Sequence, residues 1–411
     1  MRQRPQRKPS PGHRSLSVHP TEVASGFEPV AALCGGIPAQ SATLYHEIRF
    51  SVGDPAALIT LRRTGGGTHR VLLIRDIELD RARANARADT FHAPADFAPA
   101  GGLSGNRETA TAQSAAECLR RHGVLRVWID RSTPSVFWHA LVQAGLEVSC
   151  DLEASVARRR AKDAQEIGWL AQCQDDTEAA VRLACELVAR SRASADGTLM
   201  HAGEPLTSER VRSAIDVFLL ARGYQNPESI VAGGPTASDC HAHGHGPLRT
   251  GEPVIVDVFP RQRQTMYHGD CTRTVVHGTI SAEIGRMHAA VVAAKRAALE
   301  AVRAGATGEQ VHAATTREVI AAGFRMGLPA ASERWDDARM THGTGHGIGL
   351  EVHEPPLLAA QGPALVVGDV VTVEPGLYHP RIGGIRIEDM VVVTQEGFKN
   401  LGSLPESLDW S

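Results

Sequence analysis

The chain has 411 residues, of which 42% are hydrophobic, and a formal net charge of −3 at pH 7. This length exceeds one typical core and suits two domains. The small net charge excludes a general attraction to nucleic acid or to membrane surfaces. The seven cysteines are scattered without a CxxC pair, which indicates neither a zinc ribbon nor a disulfide framework but a reduced, cytoplasmic compartment.

The N-terminal residues, MRQRPQRKPSPGHR, are basic and rich in proline. This composition is typical of disorder, although a targeting or nucleic-acid-binding arm is an alternative. No apolar stretch follows that could form a signal-peptide core, and no run along the chain is long enough to cross a bilayer. We therefore expect a partly disordered tail over residues 1–40.

Residues 41–155 alternate between strand and helix patterns. Apolar runs predict strands at 57–61, 71–74, 124–130 and 146–150. Periodic segments between them predict helices at 109–121 and 137–144. The alternation predicts an α/β layer domain without concentrated chemistry.

Residues 156–411 have a different pattern. The charged segment ARRRAKDAQEIGWL opens a helix predicted to reach about residue 190, and its basic cluster at 158–162 is interpreted as a solvated face that joins the two domains. Further helices are predicted at 207–222, 281–304 and 307–324. Short apolar strands are predicted at 254–259, 272–277, 369–375 and 385–393, which indicates an α+β domain whose second half is largely antiparallel.

Each of these four strand segments has an acid within it or just before it, among apolar neighbours: Asp257, Asp270, Glu374 and Glu388. Carboxylates are almost never fully buried unless they are paired or bind a metal. Any one of the four taken singly could be an edge residue or a salt-bridge partner. Four together in one domain favour a shared functional site.

The segment HGTGHGIGLEVHE, residues 342–354, contains three histidines among four glycines. Each glycine would cost about 1 kcal/mol against alanine in a helix, so a tight loop that runs into a short strand is favoured. One imidazole with four carboxylates, which carry about −4, would balance two divalent cations and leave room for a bridging water or hydroxide. This oxygen-rich set suits Mn²⁺, or Co²⁺ and Fe²⁺, better than the nitrogen and sulfur sets of zinc, with Zn²⁺ kept as an alternative.

These motifs, with YHGDCTRT, VEPGLY and GIRIED, resemble the pita-bread metallopeptidases, the superfamily of methionine aminopeptidase, prolidase, aminopeptidase P and creatinase. The resemblance covers about residues 155–400 and is closest to the proline-specific branch. It implies a creatinase-type α/β N-terminal domain at 41–155 and an α+β pita-bread catalytic domain at 156–411. The implied enzyme is a metal-dependent exopeptidase that cleaves between an N-terminal residue and proline, as an Xaa-Pro aminopeptidase or Xaa-Pro dipeptidase, with a hydroxide bridging two metals.

The resemblance also implies a role for individual residues. The metal ligands would be Asp257, Asp270, His346, Glu374 and Glu388. Glu374 would in addition act as general base and acid, and His353 would hydrogen-bond the scissile carbonyl. His342 would line the pocket, and Arg386 would orient a bridging carboxylate or the substrate. The substrate-contacting histidine of the family aligns with His241.

Two departures from the family pattern affect these assignments. Asp257 and Asp270 are 13 residues apart, two more than usual, and the extra residues fall in PRQRQT, where a hairpin would turn. An even insertion keeps both carboxylates on the same face of a sheet, because side chains alternate. The tract HAHGHG, residues 241–246, offers His243 and His245 as alternatives to His241, and such tracts are also common in plain loops.

Other functions remain to be weighed against this one. A pita-bread protein that only binds partners would be expected to lose ligands, whereas all five positions are filled here. A metal-free creatinase-like amidinohydrolase would leave four buried acids without a cation. The expected partners are peptides with proline at the second position, without nucleic acid or membrane, and analogy with the branch implies a homo-oligomer, most simply a dimer.

Overall fold

A computed structural model describes residues 26–411, which fall into two compact units. Among these residues, the first unit comprises 26–36, 54–129 and 133–150, and the second comprises 37–53, 130–132 and 151–411. This division differs from the predicted boundary at residue 40. Most of the predicted tail, residues 1–25, lies outside the described residues, while 27–36 form a strand of the first unit.

The helices of the described residues are α1 (Ala42–Ile48), α2 (Leu79–Asn85), α3 (Arg107–Arg121), α4 (Ser135–Gln143), α5 (Ala154–Arg160), α6 (Ala164–Ala189), α7 (Ser208–Leu220), α8 (Ala282–Ala301) and α9 (Gly308–Ala321). The strands of the first half are β1 (Phe27–Gly36), β2 (Ala56–Arg63), β3 (Thr68–Leu73), β4 (Thr90–His92), β5 (Arg126–Asp130), β6 (Glu147–Asp151), β7 (Arg192–Ala193), β8 (Leu199–His201), β9 (Glu204–Pro205), β10 (Tyr224–Gln225), β11 (Ile230–Gly233) and β12 (Pro253–Val258). The remaining strands are β13 (Arg261–Gln262), β14 (Cys271–Val276), β15 (Arg325–Met326), β16 (Arg339–Met340), β17 (Gly345–Gly347), β18 (Glu354–Leu358), β19 (Val370–Val373), β20 (Gly376–His379), β21 (Gly383–Arg386), β22 (Asp389–Val393) and β23 (Phe398–Asn400).

The first unit is a mixed α/β layer. Its six-stranded sheet has the order β4-β3-β2-β1-β5-β6, with β1 antiparallel to β2 and parallel to β5. Apolar side chains of β1, β2, α3 and α4, among them Leu33, Ile59, Leu119 and Phe137, form its core. The predicted α/β class is therefore confirmed, with β1 as a central strand that the sequence did not predict.

The second unit joins five further sheets to a helical layer. The three larger sheets have the orders β11-β12-β14, β15-β16-β20-β21 and β18-β17-β19-β22-β23, and their strand pairs are antiparallel apart from β15 with β16. The two small sheets, β7-β8-β9 and β10-β13, are antiparallel. Helix α6 contacts β12 and β14, while α8 and α9 pack on each other and on the other sheets. This is the predicted α+β arrangement, largely antiparallel in its second half.

The prediction of one continuous helix to about residue 190 is wrong in one respect, because the helix is interrupted between α5 and α6. Asp163 caps α6: its carboxylate accepts the Glu166 N–H at 2.8 Å, and the Glu166 carboxylate accepts the Asp163 N–H at 2.9 Å. Such a capping box satisfies backbone donors that a continuous helix would not leave free. The interruption separates the short helix α5 from the long helix α6.

The basic cluster at 158–162 is not the solvated face that the sequence suggested. Arg159 and Lys162 are buried, and both contact the buried carboxylate of Glu354. Arg160 pairs with Asp369, whose side chain is fully buried. Arg158 stays exposed and pairs with Glu47, whereas Arg159, Arg160 and Lys162 face acidic partners from distant parts of the sequence.

Two further features bear on the sequence predictions. The seven cysteines all lie within the described residues and are free thiols. In residues 26–411, no helix combines the length and apolar character that crossing a bilayer requires.

Candidate metal centre

Strands β12 and β14 bring the first two acids together. Asp257 in β12 pairs in register with Thr272 in β14, and Asp270 lies two residues before Thr272. Since side chains two residues apart in a strand share a face, both carboxylates point the same way. The extra residues between them form β13, which pairs with β10, so the insertion extends the hairpin and returns Asp270 to the site.

The remaining ligand candidates come from the sheet that contains β17, β19 and β22. His346 is the middle residue of β17, which pairs with β19 through Gly347 and Val371. Glu374 directly follows β19, and Glu388 lies between β21 and β22. All five predicted ligand residues line one cavity of the second unit.

The orientation of the His346 ring is set by the backbone. Its Nδ1 lies 3.1 Å from the carbonyl oxygen of Gly347, to which it donates, so Nε2 carries the lone pair. That Nε2 lies 3.3 Å from a carboxylate oxygen of Glu374 and 3.8 Å from one of Asp270. A neutral imidazole held by its other nitrogen is the usual arrangement of a histidine that binds a metal.

The carboxylates converge with incomplete hydrogen bonding. One ligand atom each from Asp270, His346 and Glu388 lie within 4.8 Å of one another. Glu388 accepts a hydrogen bond from the Thr272 hydroxyl at 2.8 Å. Asp257 accepts from Arg386 at 2.6 Å through one oxygen, while its other oxygen is buried without a partner.

The acids also raise each other's pKa. Burial raises the pKa of Asp270 well above its usual range, with a further increase from the charges of Glu388, Asp257 and Glu374. Burial, then Glu374 and Asp257, raise the pKa of Glu388. Burial raises the pKa of Glu374 to about 7, against the opposing effect of Arg386.

Crowded acids of this kind favour a cation between them. The unpartnered oxygen of Asp257, the free Nε2 of His346 and the mutual repulsion of the carboxylates all fit divalent metal ions. The donor set of oxygens with one imidazole differs from the sulfur-rich or closed nitrogen sets of structural zinc sites.

The other predicted residues surround this cluster. The rings of His353 and His346 meet edge to face, with centroids 4.4 Å apart. His342 has both ring nitrogens engaged, Nδ1 with the Gly343 carbonyl and Nε2 with the Tyr378 hydroxyl, each at 2.7 Å. Burial, together with the charge of Arg386, lowers the pKa of His342 to about 3, so this ring is neutral near pH 7.

The cavity has a volume of about 430 Å³, within the range of small-ligand sites. Besides the ligand candidates, its polar lining contains His241, His243, His342, His353 and Arg386. Its apolar lining includes Ile230, Phe259, Val352, Leu357 and Ala359. Both His241 and His243 of the HAHGHG tract are therefore at the cavity, whereas His245 is not among its lining residues.

Several supporting residues were not predicted from the sequence. Thr272 and Thr372 lie two residues from Asp270 and Glu374, and their hydroxyls contact Glu388 and Glu374. This two-residue spacing in strands was a usable signal. The contact of Tyr378 with His342 was not predicted either, because the motif VEPGLY, which Tyr378 ends, does not show which side chain the tyrosine hydroxyl reaches.

The two-unit architecture and the cluster of acids with one imidazole define a pita-bread hydrolase with a creatinase-type N-terminal domain. Residues 179–395 match metallopeptidase family M24. The chain is 33% identical over 344 residues to a probable dipeptidase, PepE, of Mycobacterium tuberculosis, covering 79% of this chain and 87% of the relative. The chain belongs to metallopeptidase family M24.

Two further similarities extend the comparison. An Xaa-Pro dipeptidase of Pyrococcus furiosus is 29% identical over 224 residues, covering 53% of this chain and 60% of the relative. The solved Xaa-Pro dipeptidase of Bacillus anthracis superposes with a TM-score of 0.73 at 22% identity, covering 94% of this chain and 95% of that one. The second similarity establishes the fold, and the predicted pita-bread architecture is confirmed.

Proposed function

We propose that this metallopeptidase is an exopeptidase that removes the N-terminal residue of a peptide whose second residue is proline. The observation that carries the proposal is the convergence of Asp257, Asp270, His346, Glu374 and Glu388 on one cavity. The similarity to named Xaa-Pro dipeptidases supports the choice of substrate. A cavity of about 430 Å³ suits the end of a peptide better than an extended chain.

The five ligand candidates would hold two divalent cations, most simply Mn²⁺. Asp257 would serve one cation, His346 and Glu374 the other, and Asp270 and Glu388 both. When bound, such a pair supplies the Lewis acidity that activates water near neutral pH. The hydroxyls of Thr272 and Thr372 keep Glu388 and Glu374 in position for this role.

Glu374 is the proposed proton carrier. Its carboxylate takes a proton from the attacking water as the new C–O bond forms at the scissile carbonyl. It then gives that proton to the proline nitrogen as the C–N bond breaks, which releases the first residue and a secondary amine. Because an amide anion is too basic to leave, this protonation is needed to make the proline nitrogen a leaving group.

The remaining polar residues bind and orient. His353, whose ring lies edge-on to that of His346, would donate to the scissile carbonyl as negative charge develops on its oxygen. His241 is the proposed second substrate contact. Arg386 acts through Asp257, which it holds at 2.6 Å, and Tyr378 holds His342 in one orientation at the cavity wall.

The test is a panel of Xaa-Pro dipeptides and Xaa-Pro-Yaa peptides with Mn²⁺, Co²⁺ and Zn²⁺, with matched Xaa-Ala peptides as controls. We expect release of the first residue from the proline peptides and much slower release from the alanine peptides. Equal cleavage of both sets would overturn the proline assignment. Cleavage of creatine without metal would instead establish the amidinohydrolase alternative, and no turnover with tight protein capture would support the partner-binding one.

The finer predictions on assembly and compartment belong to the same proposal. A homo-oligomer, most simply a dimer, follows by analogy with proline-specific relatives. Seven free thiols are consistent with a reduced, cytoplasmic compartment.

A further inference from the structure

The tract HAHGHG places two histidines at the cavity where the family resemblance implies one. His241 and His243 both line the cavity, and His245 does not. Residues two apart in an extended segment point to the same side, which accounts for the first pair. Gly244, at a φ of +78°, then turns the chain before His245.

The segment around His243 is held firmly. The Val231 N–H donates to the His243 carbonyl at 3.0 Å, and Arg212 donates to the carbonyl of Gly244 at 3.0 Å. A Cβ at residue 244 would lie 1.9 Å from the Val231 carbonyl oxygen, so the chain passes too close for any side chain there. The backbone at His243 and Gly244 is therefore held in place, which fixes the point where the His243 side chain leaves the chain.

The cavity has few cationic groups that could bind an anion. Among its lining residues in the described chain, Arg386 is the sole guanidinium, and its nitrogens are already hydrogen-bonded. The acceptors are Asp257, Tyr378, Cys240 and Thr272. Arg386 cannot bind a substrate anion without leaving a buried carboxylate unpaired.

The other histidines of the cavity are also committed. His342 has both ring nitrogens bonded, and His346 belongs to the metal site. His353 is assigned to the scissile carbonyl, and His241 is the proposed second substrate contact. The ring of His243 makes no hydrogen bond or ion pair with the described residues, and it is exposed at the cavity.

We propose that His243 binds the free α-carboxylate of the proline residue, so that the enzyme favours Xaa-Pro dipeptides over longer or amidated peptides. This inference rests on the proposed function and names its substrate class. An imidazole donates one N–H when neutral and two when protonated, and a hydrogen bond to a carboxylate is stronger than one to a neutral amide. A dipeptide presents that carboxylate one residue beyond the bond that is cleaved.

The experiment compares kcat/KM for Ala-Pro, Ala-Pro-amide and Ala-Pro-Ala in the wild type, His243→Ala, His243→Gln and His245→Ala. We expect the wild type to prefer the free acid. In His243→Ala the ratio of acid to amide should fall roughly 10- to 100-fold, mainly through KM, which is the loss of one hydrogen bond to a charged group. His243→Gln should recover part of it, and His245→Ala should keep the wild-type ratio.

A binding measurement makes the same comparison without turnover. L-proline should raise the melting temperature of the wild type more than L-prolinamide does, and this difference should vanish in His243→Ala. Melting curves of the unliganded variants also show whether each is folded. Ala-Pro-Asp and Ala-Pro-Asn complete the panel by testing a side-chain carboxylate at the next position.

The outcomes separate the two proposals. Equal wild-type cleavage of acid and amide, or an equal loss on both in His243→Ala, would overturn the role of His243 and leave the Xaa-Pro activity intact. A preference for Ala-Pro-Asp that depends on His243 would also overturn it, because the carboxylate would then be a side chain. No cleavage of any Xaa-Pro peptide would remove the proposed function and this inference with it.

Discussion

Glu388 and Asp389 are adjacent acids, both buried, in opposite electrostatic settings. Glu388 faces the other site carboxylates, and burial together with Glu374 and Asp257 raises its pKa. Asp389 accepts hydrogen bonds from Arg273 at 2.8 Å and from Lys295 at 2.5 Å. Burial alone would raise the pKa of Asp389, but Lys295 and Arg273 outweigh burial and lower it.

The difference shows how to tell a functional acid from a structural one. Asp389 has its charge matched by two buried cations of the protein, as Glu354 has with Arg159 and Lys162. Among the described residues that line the cavity, the four carboxylates of the site cluster have only Arg386 and histidines as basic neighbours. A buried cluster with excess charge needs a partner from outside the chain, whereas a matched cluster stabilises the fold.

The largest effect should come from the unmatched cluster. Glu374→Gln keeps an oxygen at the site but removes the base, so turnover should fall about 10²–10⁴-fold. Steady-state kinetics on an Xaa-Pro peptide measure this, with metal content as the control. A loss below tenfold with metal retained would rule out the proton-carrying role of Glu374.

The matched cluster should respond in stability instead. Lys295→Met leaves buried Asp389 with one cation fewer and should cost about 3–5 kcal/mol of unfolding free energy. Arg286→Ala is the control, since Arg286 lies on the same helix, α8, but forms an exposed ion pair with Glu283. Arg286→Ala should cost less than about 1 kcal/mol of unfolding free energy. Urea unfolding measures the free energy lost in each variant. Equal losses in the two variants would contradict the distinction between the clusters.

His353 tests whether the cavity contains a catalytic group that is not a ligand. Removing one donor to a developing oxyanion typically costs about 10²–10³-fold in turnover. His353→Ala should therefore lower kcat and kcat/KM together while metal stoichiometry stays near the wild-type value. Loss of metal instead would make His353 a ligand and would require His346 to be reassigned.

Removing metal should destabilise the protein through the unmatched cluster. At about 100 times its dissociation constant, a bound metal adds roughly 2.7 kcal/mol of stability, which a chelator would remove. Melting temperatures with and without chelator measure the effect. Glu374→Gln should reduce the difference, because one of the repelling charges is gone. An unchanged melting temperature after verified metal removal would mean that the acids do not form a metal site.

Much of the fold was predictable because its signals are local. Periodicity located the helices of the second unit within a few residues, and apolar runs located the strands with the acids. β1 was missed, because its residues follow a basic tail and were counted with it. The burial of Lys162 was also missed, because its partner Glu354 is 192 residues away and a charge run alone resembles a solvated face.

The candidate site was predictable in its membership but less so in its detail. All five ligand candidates lie at one cavity, as expected from four acids in apolar strands and one histidine loop. Which of His241, His243 and His245 reach the cavity depends on the turn of the backbone at Gly244, and a sequence does not show that turn. The bonding of His342 by Tyr378 depended likewise on tertiary packing.

The smallest predicted effect concerns a third buried acid, Glu166, which is matched in charge. It forms ion pairs with Arg49 at 2.8 Å and with His46 at 3.4 Å, and it accepts a hydrogen bond from Tyr267. Burial would raise its pKa, but the hydrogen bonds from His46, Tyr267, the Asp163 backbone and Arg49 outweigh burial and lower it.

A carboxyl whose pKa is lower in the folded state than in the unfolded state, where it is about 4.3, stabilises the fold above that pH. This stabilisation is lost as the pH falls through the pKa of the folded state. Glu166→Gln should therefore cost about 1–3 kcal/mol at pH 7, and this difference from the wild type should shrink below roughly pH 4. Urea unfolding at pH 7, 5 and 3.5 measures it, with the exposed Glu300→Gln as control. A difference that stayed constant over this range would show that the ionised form of Glu166 is not what its neighbours stabilise.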